Sequence, residues 1–319
     1  MFRPEIKVID CTIRDGGLIN AWRFDDALVR SSYQACCEAG VDYFEIGYKA
    51  SRDMFDPKQF GKWRFCGEDD VKKIIDGIEP VSKLSCMVDI GRVRENDIAE
   101  AGSSPFSMYR VACYIKDMDK AIALSNLIMD KGYEVSLNIM AVSTNLEKDI
   151  DESLESISRT DIPLVYLVDS YGSMYCEDIT FLAKKYIAAL PGKTIGIHSH
   201  NNRQLAFGNT IQAIIDGVNY LDASIYGIGR GAGNCSLELL IGFLKNPKFN
   251  IRPILKVIEE YYVSLREQIE WGYIIPYMIT GMLNEHPRTA IALRSGPDKD
   301  KYLKFFDTLT QPEVDNQSE

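Results

Sequence analysis

TIGIHSHNNRQLAFGNTIQAIIDG, Thr194 to Gly217, contains one complete strand–loop–helix unit and the densest polar motif of the chain. Its first part, Thr194–His200, is β-branched and apolar until it reaches two histidines two residues apart, His198 and His200. Gln204–Asp216 then carries apolar residues at helical spacing, and Gly217 supplies a stop. Side chains at i and i+2 of a strand share one face, roughly 7 Å apart. Two imidazoles so placed can reach one metal ion through bonds of about 2.1 Å. An isolated His-x-His also reads as two polar strand-end residues bonded to backbone or water, so its neighbours decide.

The same alternation recurs along the chain. Strands are predicted at Val8–Arg14, Tyr43–Tyr48, Leu84–Ile90, Met108–Ile115, Val135–Val142, Leu164–Asp169, Thr194–His200 and Tyr220–Tyr226. Helices are predicted at Asp25–Ala39, Glu68–Gly77, Glu95–Ala101, Met118–Lys131, Glu147–Ser158, Cys176–Leu190, Gln204–Asp216 and Ser236–Lys245. Eight such units in a row predict an α/β fold, a closed parallel (β/α)8 TIM barrel. Each crossover covers the sheet, and the eighth strand can pair with the first. An open doubly wound sheet is the alternative. The expected layout is a barrel over residues 1–250, a short C-terminal helical extension over 251–310 and a disordered polar tail over 311–319.

Composition narrows the function. The chain has 319 residues, 46% of them hydrophobic, and a net charge of −10, which disfavours nucleic acid or an anionic membrane as partner. No apolar run approaches the roughly 20 residues of a membrane helix, and Met1 to Glu5 leads into a strand with no signal-peptide core. Eight cysteines include no Cys-x-x-Cys pair, the pattern of reduced, buried thiols. A cytoplasmic protein, expected to be a homo-oligomer, fits these features.

A barrel concentrates chemistry at the C-terminal ends of its strands. Those ends read Arg14-Asp15-Gly16-Gly17, Gly47-Tyr48-Lys49, Asp89 to Arg92, Ser143-Thr144-Asn145, Asp169 to Gly172, His198 to Asn202 and Gly227 to Asn234. The strands' polar residues are expected at this rim, above an apolar barrel body. Asp15, His198 and His200 come from strands one and seven, separated only by strand eight. One carboxylate and two imidazoles leave positions open for water or a chelating substrate, a set that suits Mn²⁺, Fe²⁺ or Zn²⁺, with Mg²⁺ where more oxygens join. Asn234 could add one oxygen. For Arg14 and Asp15 both to face the centre, strand one must end at or near Arg14 and turn at the two glycines. The run Gly227 to Asn234 is a weak phosphate-loop signal, with no Gly-Lys-Ser or Gly-Lys-Thr after it. It reads better as a tight turn approaching the bound substrate. The loop Ala50–Gly67 mixes cations with aromatics and is long enough for a lid; Lys49 and Arg52 are its expected substrate contacts.

These segments resemble the DRE-TIM metallolyases, a family of metal-dependent aldolases and acyl-CoA lyases and synthases. DCTIRDGG (Asp10 to Gly17) resembles their strand-one signature, IHSHNN (Ile197 to Asn202) their His-x-His, and YGIGRGAGN (Tyr226 to Asn234) their strand-eight loop. Within the family the chain is most similar to the 4-hydroxy-2-oxovalerate aldolases, through YRVACY (Tyr109 to Tyr114), VYLVDSYG (Val165 to Gly172) and GNCSLELL (Gly233 to Leu240). The resemblance implies that Asp15, His198 and His200 bind a divalent metal, Mn²⁺ first, with Mg²⁺, Zn²⁺ or Co²⁺ as alternatives. It implies that Arg14 stabilises an enolate oxygen, and that pyruvate and an aldehyde are the substrates. Two features depart from the pattern. The family's general-base histidine, three residues after the metal-binding aspartate, is replaced by Leu18, and the C-terminal part is short beside the helical domain that contacts an aldehyde dehydrogenase. Neither that base nor that partner carries over.

A 2-oxo acid chelates a metal through its carboxylate and keto oxygens, and the ion offsets the charge of the developing enolate. Arg14 would add a charge-assisted donor, worth about 3 kcal/mol in such sites. The acceptor side still needs an acid or base, with Tyr48, Tyr171 or a metal-held water as candidates. Acyl-CoA condensation and a non-catalytic barrel are the alternatives.

Overall fold

The computed structural model describes residues 3–311. Eight parallel strands close a barrel in chain order: β1 (Lys7–Asp10), β2 (Tyr43–Tyr48), β3 (Lys83–Asp89), β4 (Met108–Cys113), β5 (Glu134–Ile139), β6 (Leu164–Asp169), β7 (Thr194–Ser199) and β8 (Tyr220–Ala223). Closure runs through β1 and β8, with Lys7 opposite Tyr220 and Asp10 opposite Ala223, which rules out the open sheet. The outer layer is α1 (Thr12–Asn20), α2 (Asp26–Ala39), α3 (Glu68–Ile75), α4 (Met118–Asp130), α5 (Glu147–Ser158), α6 (Cys176–Ala189), α7 (Ala206–Asp216) and α8 (Leu237–Leu244). Then come α9 (Ile251–Val257), α10 (Val263–Gln268), α11 (Ile275–Met282), α12 (Arg288–Arg294) and α13 (Tyr302–Thr310). Of the tail expected over 311–319, all but Gln311 lies outside the described residues.

Two local expectations fail. The helix predicted at Glu95–Ala101 is instead two 3-10 turns, Glu95–Asp97 and Ala101–Ser103. Asp97 Oδ2 accepts from the Arg94 backbone N–H at 2.8 Å, and Gly102 and Pro105 leave no room for a longer run. Strand one stops at Asp10 instead of Arg14, and α1 begins after the single residue Cys11. The Asp10 carboxyl makes that break, accepting from Thr12 N at 3.1 Å and Thr12 Oγ1 at 2.6 Å. Arg14 and Asp15 therefore sit on a helix, where neighbours are about 100° apart instead of 180°, and both can address the barrel mouth.

The interior is layered by strand parity. Ile9, Tyr43, Met108, Leu164, Tyr166 and Val168 form an inner apolar cluster. Alternate residues beside them are charged: Glu45, Arg110 and Asp222 are buried inside the barrel. The expectation of a wholly apolar barrel body is therefore corrected. Two details make this layer fit. A register shift between Glu45 and Tyr48 turns both inward although they are three residues apart. Gly196 leaves space for the Tyr166 ring, since a Cβ there would lie 2.5 Å from it; that ring stacks on the Arg110 guanidinium at 4.4 Å.

The C-terminal helices occupy two places. α9 packs along α2, and Tyr262, in the π-helical turn 258–262, shares a hydrogen bond of 2.7 Å with Ser32. α11, α12 and α13 form their own cluster around Ala232, Tyr277, Ala290 and Phe305, resting on the glycine-rich loop after β8. This brings residues beyond 280 to the mouth of the barrel.

Candidate metal centre and cavity

At the C-terminal rim, Asp15, His198 and His200 converge, each offering a ligand atom within 4.8 Å of the others, and all three are buried. The two histidine rings lie edge to face, 5.0 Å between centroids. His198 Nδ1 is 2.9 Å from Asp222 Oδ2, and its Nε2 is buried with no protein partner. Asn234 Nδ2 donates to Asp15 Oδ2 at 2.7 Å and to Ile228 O at 3.0 Å. Those two acceptors fix the amide's orientation and leave Oδ1 buried and unpartnered. The residues thus present imidazole nitrogen, carboxylate oxygen and amide oxygen with free lone pairs, a donor set that fits a divalent ion.

The electrostatics agree. Burial alone would raise the Asp15 carboxyl, but His200, Arg14 and His198 outweigh it and hold the carboxyl below the usual range. Burial, with Asp15 opposing and Arg230 adding to it, pushes His200 well below its ordinary value, so the ring is neutral and able to ligate. Asp222 is also held low, because Arg110 and the His198 bond outweigh its burial. Arg110 bridges Asp222 at 2.8 Å and Glu45 at 2.9 Å; Arg14 bridges Glu45 at 2.8 Å and Asp15 at 2.7 Å. Three buried carboxylates, Asp15, Glu45 and Asp222, are thus bridged by two guanidiniums, and a third, Arg230, acts on Asp15 from the cavity wall.

The glycine-rich loop serves the same carboxylate. A Cβ at Gly229 would fall 2.2 Å from Asn234 Nδ2 and 2.5 Å from Asp15 Oδ2, and Arg230 N donates to Asp15 Oδ2 at 3.3 Å. A second group, Cys11, His198 and Asp222, is equally tight but closed. Cys11 Sγ donates to Ala223 O at 3.1 Å, burial pushes its thiol up, and Asp222 is taken by Arg110 and His198.

Above the cluster lies a cavity open to solvent, with about 530 Å³ of empty space that includes its open mouth. Its wall includes Arg14, Asp15, Tyr48, Tyr171, His198 and His200, all singled out in the sequence, and also Leu18, Arg230 and His286. Arg14 spends Nε on Glu45 and Nη1 on Asp15. Burial, then Asp89, pushes the Tyr48 phenol up, and burial raises Tyr171, so both keep their protons at neutral pH and act as donors. Lys49 and Arg52 do not reach the cavity. Lys49 Nζ is bound to Cys66 O at 3.0 Å and Glu68 at 2.6 Å, and Arg52 stacks on Phe65. The long loop instead holds Arg64 among Trp22, Tyr48, Phe55 and Phe60. Glu45, Arg110 and Asp222 were missed by reading strand ends alone. A lone charge in each of three apolar strands, at inward parity, was the available signal.

A model of the HMGL-like family matches residues 5–260. The chain belongs to the HMGL-like family. One relative, named 4-hydroxy-2-oxovalerate aldolase, from Pelotomaculum thermopropionicum, is 29% identical over 78% of this chain and 72% of its own. Another, named oxaloacetate decarboxylase, from Mycobacterium tuberculosis, is 26% identical over 75% of this chain and 69% of its own. The crystal structure of the N-terminal domain of a candidate aldolase from Bacteroides vulgatus superposes with a TM-score of 0.78 at 28% identity. It covers 90% of this chain and 96% of that one. Among the described residues, no helix is long and apolar enough to cross a membrane.

Proposed function

We propose that this protein is a divalent-metal-dependent carbon–carbon lyase that forms or cleaves a 4-hydroxy-2-oxo acid through the enolate of pyruvate, with an aldehyde as second substrate. One observation carries the reading: two buried, unpartnered acceptors, His198 Nε2 and Asn234 Oδ1, stand beside Asp15 and His200. The relatives named 4-hydroxy-2-oxovalerate aldolase support it. Asp15, His198 and His200 would hold the ion, with Asn234 Oδ1 as a further oxygen; Mn²⁺ is the ion we propose, and Mg²⁺, Zn²⁺ or Co²⁺ fit the same donors. When bound, it supplies positive charge against the enolate.

The chain's own residues do the rest. Arg14 is locked by Glu45 and Asp15, so its guanidinium is in place before substrate arrives and donates to the keto oxygen as that oxygen gains charge. Tyr48 and Tyr171 donate hydrogen bonds from the cavity wall. Buried cysteines, seven of the eight, suit a reducing cytoplasmic setting.

The test is proton NMR of pyruvate in deuterated buffer. Metal-loaded protein should exchange the methyl protons, and Arg14→Ala should slow exchange by about 10²–10³-fold. Exchange that persists unchanged after metal removal, or none at full metal occupancy, defeats the reading. A second reading, decarboxylation of oxaloacetate to the same enolate, is favoured by Leu18 in the cavity wall, because loss of CO₂ needs no base on an acceptor hydroxyl. Metal-dependent oxaloacetate turnover without aldol cleavage would select it.

A further inference from the structure

The mechanism above leaves the acceptor carbonyl without an assigned partner, and Leu18 cannot serve. The third histidine of the chain can. His286 lies between α11 and α12, far from His198 in sequence, yet it lines the same cavity. Its ring meets Tyr171 edge to face, 5.5 Å between centroids. The turn that carries it is tied to the barrel. Asn284 Oδ1 accepts from Ser143 Oγ at 2.8 Å and Ser173 Oγ at 2.7 Å, and Asn284 Nδ2 donates to Ser143 O at 3.0 Å.

The Arg288 backbone N–H donates to His286 Nδ1 at 3.0 Å. In the neutral ring the proton must therefore be on Nε2, leaving a donor for the cavity. Burial first, then the charges of Arg230 and Arg288, push the imidazole down to about 4. The Tyr171 phenol meets its ring, Glu285 precedes it in the chain, and Tyr114 lines the same cavity. A neutral imidazole so fixed is a poor base and a good electrophile, the role of an uncharged histidine that polarises a carbonyl.

Resting on the aldolase reading, we propose that His286 is a catalytic residue of the acceptor side, donating its Nε2–H to the aldehyde oxygen. As the enolate carbon bonds to the carbonyl carbon, the carbonyl π pair moves onto oxygen. The Nε2–H bond steadies that alkoxide without giving up its proton, and the alkoxide takes a proton from water. In cleavage the same steps run in reverse.

The test compares metal-loaded full-length wild type, His286→Ala and His286→Gln, which keeps a side-chain N–H. Three readouts are metal content, pyruvate methyl exchange, and pyruvate release from 4-hydroxy-2-oxovalerate between pH 5.5 and 8. Alanine should leave metal and exchange unchanged and lower cleavage kcat by about 10²–10³-fold. Glutamine should recover part of that loss, and wild-type cleavage should show no histidine limb near pH 6.5. Full cleavage activity in His286→Ala, an equal loss of exchange and cleavage, or wild type that exchanges but cleaves nothing overturns the assignment. Absence of exchange in wild type itself overturns the aldolase reading instead.

Discussion

His198 Nδ1 and Asp222 Oδ2 lie 2.9 Å apart, and the same carboxylate oxygen accepts from Arg110 at 2.8 Å. An ionised Asp222 holds the ring proton on Nδ1 and turns the Nε2 lone pair to the cavity. Asp222→Asn should therefore lower Mn²⁺ affinity by about 10–100-fold while His198 remains in place. Isothermal titration with Mn²⁺ reads this directly, and an unchanged dissociation constant would remove Asp222 from the site.

The three histidines should separate by metal content. His198→Ala and His200→Ala each delete a proposed ligand and should lose bound Mn²⁺ on desalting, whereas His286→Ala should retain it. Elemental analysis of the purified variants decides. Loss in the His286 variant with retention in the His198 variant would mean that the ligand set is wrong.

Arg110 is fully buried between Glu45 and Asp222. Removing it leaves Asp222 with only the His198 ring as partner and Glu45 with Arg14 alone. Arg110→Ala should cost about 3–5 kcal/mol in urea unfolding measured with chelator present. A loss near zero would show that the interior layer is not held by these ion pairs.

Asp10 gives a pH dependence with a definite sign. Burial, against the opposing bonds from Thr12, raises its carboxyl to about 7. The native state thus keeps a proton that the unfolded chain has released above about pH 4. That stabilising contribution is complete below about pH 4 and is lost as pH rises through about 7. An asparagine side chain in its place cannot titrate. The stability of wild type relative to Asp10→Asn should therefore fall from pH 5 to 8, by at most about 1.4 kcal/mol per pH unit. Urea curves at several pH values check it; a constant difference would contradict the raised carboxyl.

What the sequence determined by itself was the periodic part and the local part. Eight strands in succession, seven of them followed by a helix, dictate a closed barrel, because each amphipathic helix must cover the sheet and the last edge must find the first. His198 and His200 were legible because they stand two residues apart at the end of one strand, and Asp15 because it lies in a short polar motif just after β1; their meeting required the closed barrel. A local pair of bonds that no periodicity shows, Thr12 to Asp10, ends β1 early and puts Arg14 and Asp15 on a helix. The tertiary structure alone decided two things. Glu45, Arg110 and Asp222 read singly as misplaced charges in apolar runs; only barrel closure brings Arg110 to 2.9 Å from Glu45 and 2.8 Å from Asp222 and cancels most of their desolvation cost. His286 enters the cavity because α11, α12 and α13 pack on the glycine-rich loop. Contacts between residues so far apart depend on how closed surfaces meet, and no local period in the chain encodes that.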